Sequence, residues 1–206
     1  MFSKSYNQHL SDLQKVFNAL NQHHLRLKID KCHFFMIEMN YLGFVVSRNG
    51  IHTDPQKVKA IKEFPIPNDV TSVRSFLGVT GYYRKFVPNY ANISRPLYNL
   101  ITKSKSFEWT DECNNAFNVL KDKLICSPIL SFPNFRLFFI LTTDASKQGL
   151  SAILSQVNAE NKESVICYSS RTLRQNELNY HTTEVECLAL VWDLKFIDLI
   201  YLDLKS

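Results

Sequence analysis

Apolar positions in the first 125 residues recur mostly at helical spacing. Leu10, Leu13, Val16, Phe17 and Leu20 share one face, which predicts an amphipathic helix from Asn7 to His24. A short apolar/polar alternation follows at Leu25, Leu27 and Ile29. Tyr41 to Ser47 reads as a strand, and Asn49-Gly50 as a turn into Ile51. Asp54-Pro55 opens a short helix through Val58 and Ile61, stopped by Pro65 and Pro67. A second helix is expected from Asn68–Thr71 to about Phe86, where Pro88 ends it, and a third from Ile93 to Ile101. Lys103 to Trp109 is a polar connector. Thr110 can cap a helix running to Cys126, with Asp111 and Glu112 at its positive end.

The pattern changes after Pro128. Leu137–Thr142, Leu150–Gln156 and Ser164–Ser169 are runs of strand formers. Turn residues at Ser146–Gly149 and Asn158–Lys162 separate them, which predicts an antiparallel meander. One long helix, Thr183 to Tyr201, follows. The class expected is α+β: a helical module, then a small sheet with one long helix. The division between halves is expected between Lys103 and Phe135.

Charge sharpens this division. Residues 1–100 carry 13 Lys and Arg against 6 Asp and Glu, whereas residues 101–206 carry 11 against 13. A basic front half suits a polyanion, because neutralising phosphates releases counterions. A merely soluble surface would look the same by charge alone. The five cysteines, Cys32, Cys113, Cys126, Cys167 and Cys187, are odd in number and widely spaced, which points to a reducing, intracellular compartment, cytoplasm or nucleus. No secretory signal opens the chain and no apolar run approaches the ~18 residues of a membrane span.

Four groups could carry chemistry. Asp144 ends the run Phe138-Phe139-Ile140-Leu141-Thr142-Thr143, where a strand would hold a carboxylate rigidly for a metal; a turn-initiating Asp is the alternative. Glu184 and Glu186 open the last helix but lie roughly 200° apart around it, so both cannot face the sheet. Either could instead simply complement the helix dipole. Arg74, Gly78 and Tyr82 recur every four residues on one helical face. A mid-helix Gly costs about 1 kcal/mol against Ala, so close approach of a nucleic-acid backbone or of a second helix is expected there. Arg84 and Lys85 add charge suited to phosphates. Finally, His23, His24, Cys32 and His33 fit no standard zinc spacing.

Taken in order, these segments resemble the reverse transcriptases of gypsy-type LTR retrotransposons. Leu27-Lys28-Ile29-Asp30-Lys31-Cys32-His33-Phe34-Phe35, Tyr41-Leu42-Gly43-Phe44-Val45-Val46-Ser47 and Asp54-Pro55 resemble the family's palm end. Arg74-Ser75-Phe76-Leu77-Gly78 with Tyr82-Tyr83-Arg84-Lys85-Phe86-Val87-Pro88 resembles its thumb, and Phe107-Glu108-Trp109-Thr110 its connector. Thr143-Asp144-Ala145-Ser146, Asn179-Tyr180 and Thr183-Glu184-Val185-Glu186 resemble the start of its ribonuclease H.

The resemblance implies residues 1–52 as the palm end with a primer-grip hairpin, 53–103 as thumb-like helices, 104–135 as connector and 136–206 as a partial ribonuclease H-like domain. It implies that Leu42, Gly43 and Phe44 lie in the primer grip, and that Arg74, Gly78 and Tyr82 track the minor groove of a template–primer duplex. Asp144 and Glu186 would be the first two ribonuclease H carboxylates, using Mg²⁺. The implied partners are an RNA/DNA hybrid or DNA duplex and the rest of a Pol polyprotein, with no membrane.

The sequence also departs from the family. No Tyr-x-Asp-Asp precedes Phe2-Ser3-Lys4-Ser5, and the stretch after Phe196 lacks the strand carrying the third carboxylate. Two carboxylates hold Mg²⁺ weakly, since the ion demands near-octahedral geometry. The expectation is a duplex-binding fragment, catalytically incomplete by itself, or alternatively a stand-alone nucleic-acid-binding remnant.

Overall fold

The structure, a computed structural model, describes residues 3, 5–102, 106–158 and 160–203. The chain forms two compact units, 1–37 and 38–206. Lys103–Lys105 of the expected connector lie outside the described residues, as do Met1, Phe2 and Lys4.

In the first unit, α1 (Tyr6–Gln22) starts where the Ser5 hydroxyl accepts the amide of Gln8. None of its residues is buried. Phe35 stacks on Tyr6 at 5.2 Å and meets His9 edge-on, while Phe34 meets Phe17. The alternation at Leu25, Leu27 and Ile29 makes no strand, and Ile29–Lys31 closes instead into a 3₁₀ turn.

The second unit begins with three antiparallel strands, β1 (Glu38–Tyr41), β2 (Phe44–Ser47) and β3 (Gly50–Thr53). The single strand expected over Tyr41–Ser47 is therefore two, broken at Leu42-Gly43. Both turn residues have positive φ, 46° and 71°, which matches the right-handed twist of the flanking strands. A bulky Leu there carries no turn signal in the sequence.

Four helices follow: α2 (Pro55–Lys62), α3 (Val70–Tyr82), α4 (Tyr90–Leu100) and α5 (Asp111–Ile125). Their starts follow local capping chemistry. Asp54 accepts the Gln56 amide, Asp69 and Ser72 form a reciprocal capping box, and Thr110 accepts the Cys113 amide. Expected to reach Phe86, α3 stops at Tyr82, and Arg84–Phe86 turns as 3₁₀. The cause is packing: the turn swings Phe86 and Val87 inward, where they are fully covered. The core gathers Ile61, Phe76, Phe86, Leu97, Phe117, Leu120 and Leu124. Burying each such side chain contributes roughly 1.5–3 kcal/mol.

The meander forms as expected, in the order β4 (Ile140–Ala145), β5 (Gly149–Val157) and β6 (Glu163–Thr172). Its first strand starts later than Leu137, because Leu137 bonds back to the carbonyl of Asn134 in a turn. The Gln156 side chain fixes that turn by accepting the Asn134 amide and donating to its carbonyl, both at 2.8 Å. The last helix, α6 (Thr182–Asp203), packs Val185 and Ala189 on Leu150 of β5.

The meander does not stand apart from the helices. Val165 and Tyr168 of β6 pack on the helical core. Leu130 exchanges two main-chain bonds with Ile51 of β3, each 2.8 Å, and the neighbouring Ser131 amide donates to Val165 of β6. Two consecutive residues thus splice one sheet to the other. Gly50 is required at that splice, because the Leu130 carbonyl occupies the space a Cβ would need and φ is +134°.

Candidate nucleic-acid interface

Two faces of α3 do different work. Val73, Phe76, Leu77 and Thr80 are buried, whereas Arg74, Gly78 and Tyr82 are exposed. Among the described residues, no atom of another element lies within 4 Å of a Cβ placed on Gly78. A second helix crossing there is thereby excluded, and the glycine leaves an open strip of helix backbone. Arg74 stands one turn before it and Tyr82 one turn after.

The hairpin tip is fastened to the end of this strip. The Tyr82 hydroxyl donates to the Leu42 carbonyl, and the Tyr83 hydroxyl donates to the Gly43 carbonyl at 2.7 Å. Phe44 stacks on Tyr82 at 4.9 Å and meets Tyr83 edge-on at 5.6 Å. The Lys85 ammonium lies 3.8 Å from the Phe44 ring centre. Burial lowers the Lys85 pKa, with Cys167 opposing. Burial, then the Asp54 carboxylate and Tyr82, push the Tyr83 phenol up to about 12, so it remains a donor at physiological pH. Leu42 is left 69% exposed at the tip. Placing a branched side chain in the left-handed region costs about 1–2 kcal/mol, which these outside contacts offset.

Of the predicted contact residues, Leu42, Gly43, Phe44, Arg74, Gly78 and Tyr82 thus meet along α3 and the turn. Lys85 joins them through the Phe44 ring, whereas the Arg84 guanidinium reaches β6. Arg84 donates to the Ser170 carbonyl at 2.6 Å, and Ser170 also accepts the Ala91 amide through its hydroxyl. These contacts dock α4 and the 3₁₀ turn on β6.

Asp144 and Glu186 are both exposed. Along β4 the more covered positions are Leu141, Thr143 and Ala145, and Asp144 alternates with them. Glu184 accepts the His181 amide at 2.7 Å, a capping contact that leaves Glu186 the uncommitted glutamate of the pair. No group of three or more His, Cys, Asp or Glu side chains that could hold a metal ion occurs among the described residues. Two exposed carboxylates do not amount to an Mg²⁺ cage. His23, His24, Cys32 and His33 form no such group either, and all five cysteines are free. No helix among the described residues is long and apolar enough to cross a membrane.

Sequence reasoning missed a buried polar cluster between β6 and α6. Arg171 grips Glu177 with two bonds, 2.6 and 3.1 Å, and lies 5.4 Å from the Trp192 ring centre. Asp193 is completely covered beside them. Only its polarity in an apolar helix hinted at it. Tyr83 is buried in the helical core, and nothing local in the sequence reveals that its hydroxyl reaches a carbonyl 40 residues away.

Residues 109–202 match a family described as the RNase H-like domain found in reverse transcriptase. The chain is 45% identical over 196 residues to the retrovirus-related Pol polyprotein from transposon 297 of Drosophila melanogaster, covering 95% of this chain and 18% of the relative. It is 39% identical over 206 residues to the Pol polyprotein from transposon gypsy of the same organism, covering 94% and 19%. Among solved structures it is similar to the foamy viral protease-reverse transcriptase in complex with an RNA/DNA hybrid, with a TM-score of 0.81 at 24% identity, over 97% of this chain and 27% of that one. The chain therefore spans less than a fifth of these two curated relatives.

Proposed function

We propose that this chain, which belongs to the reverse transcriptase and RNase H-like segment of retrotransposon Pol polyproteins, holds a nucleic-acid duplex along α3 and the Leu42-Gly43 turn. The observation that carries the proposal is the open space around Gly78 between exposed Arg74 and Tyr82. A backbone can approach a helix closely only where no side chain intervenes. Arg74 supplies a cation for phosphates, and the Tyr82 ring a flat apolar surface. Solved relatives hold an RNA/DNA hybrid or double-stranded DNA, which supports either as ligand here.

Within the polyprotein, residues 1–52 are assigned to the palm end, 53–103 to the thumb, 104–135 to the connector and 136–206 to a partial ribonuclease H-like domain. Asp144 and Glu186 are the carboxylates of the latter. By themselves they give weak Mg²⁺ binding, and no catalytic step is assigned to this chain. Polymerisation and hybrid cleavage are activities proposed for the longer polyprotein.

Duplex binding across a salt series tests the reading. Affinity is expected to fall as salt rises, with a slope of ~0.9 per phosphate contact on B-DNA. A flat salt response removes the proposal.

A further inference from the structure

We propose that Tyr83 is a positioning residue, whose hydroxyl sets the Leu42-Gly43 turn so that the turn and α3 engage one duplex together. The inference rests on the duplex-binding reading above. Tyr83 itself is 2% exposed and cannot touch a ligand. Its influence runs through the Gly43 carbonyl, 2.7 Å from its hydroxyl.

The turn cannot set its own geometry. Leu42 has φ 46°, a conformation that a branched residue abandons unless its surroundings hold it. The surroundings are the end of α3. Tyr82 takes the Leu42 carbonyl and Tyr83 the Gly43 carbonyl, so two adjacent residues of one helix end fix two adjacent peptide planes of the turn. Phe44 packs against both rings, which also meet each other edge-on at 5.1 Å, and Lys85 caps the Phe44 ring. Gly78 lies four residues before Tyr82 on the same helix, roughly 6 Å along its axis. The open strip and the exposed Leu42 side chain therefore belong to one continuous contact surface, and Tyr83 is the buried pin behind it. A phenol that stays protonated makes that pin a permanent donor.

The test is Tyr83→Phe, which deletes the hydroxyl and keeps the ring. A photo-crosslinking amino acid replaces either Leu42 at the turn or Thr71, exposed near the start of α3, and each protein is irradiated with a DNA duplex. In the wild-type background both positions are expected to crosslink. In Tyr83→Phe the yield from position 42 is expected to fall at least fivefold, with that from position 71 within twofold. Equal retention at both positions overturns the inference, and so does equal loss at both, which marks a purely structural role. Crosslinking from 71 but not from 42 in the wild type also overturns it while leaving duplex binding standing. No crosslinking and no salt-sensitive binding removes both. Hydrogen exchange gives a ligand-free readout. Faster exchange confined to β1 and β2 in Tyr83→Phe supports the pin, and unchanged exchange there refutes it.

Discussion

Arg171 of β6 binds Glu177 with both prongs of its guanidinium, and the buried Asp193 carboxylate of α6 beside it has no hydrogen-bond partner among the described residues. Burial pushes the Asp193 carboxyl up to about 6, while Ser169 and Arg171 nearby pull less strongly the other way. The neutral acid is the form that suits this site. Because the folded pKa exceeds the ordinary 3.8, the contribution to stability is complete below pH 3.8 and disappears as pH rises through about 6. Asp193→Asn is therefore expected to be more stable than the wild type at pH 7, by roughly 2 kcal/mol, with the advantage vanishing near pH 4. Urea melts of both proteins at the two pH values check this.

Gly78→Ala separates folding from binding. None of the described residues meets the added methyl group, so helix propensity alone predicts a gain of about 0.5–1 kcal/mol in stability. Duplex affinity is expected to fall several-fold, and further for Gly78→Leu. A variant that is both more stable and equally tight in binding would place the duplex elsewhere.

Gly50→Ala should behave in the opposite way. A methyl group there collides with the Leu130 carbonyl, and the positive φ adds strain. The expected cost is about 2–3 kcal/mol, read as a lower melting temperature. Both Ile51–Leu130 bonds should lose their hydrogen-exchange protection.

Mg²⁺ is expected to stabilise the chain little. A ligand at a hundred times its Kd would add ~2.7 kcal/mol, so a tight site would raise the melting temperature clearly in millimolar Mg²⁺. The shift should stay small, and Asp144→Asn should abolish whatever shift there is.

Residues 137–206 by themselves are expected to melt without a sharp transition. Val165 and Tyr168 would lose the helical core they pack on, and Ser170 would lose both Arg84 and Ala91. Calorimetry of that segment beside residues 38–206 tests this.

What the sequence made legible was local. Asp54, Asp69 and Thr110 bond to amides two or three residues on, so type and position suffice to find a helix start. Gly78 announced itself because a helix interior disfavours glycine, although whether something crossed it could be seen only in three dimensions. The Leu42-Gly43 turn was hidden because Leu is an ordinary strand residue, and its reason for turning lies at Tyr82 and Tyr83. Arg84 and Lys85 looked like phosphate ligands by charge, yet Ser170 and Phe44 engage them from distant segments. The covered Asp193 is invisible to periodicity for a related reason: α6 is apolar on most sides, so no face identifies itself as inner.

The Leu130–Ser131 splice has a mechanical meaning. Main-chain bonds are short, directional and stiff, and here three of them run from β3 through two consecutive residues to β6. A hinge needs a stretch of backbone free to change its torsions, and at Leu130–Ser131 three bonds oppose such a change. A force applied at the Leu42 tip is thus expected to reach β6 through β3 and this splice. The two sheets are therefore expected to move as a pair when the Leu42 tip is displaced, a locked jaw in place of a joint.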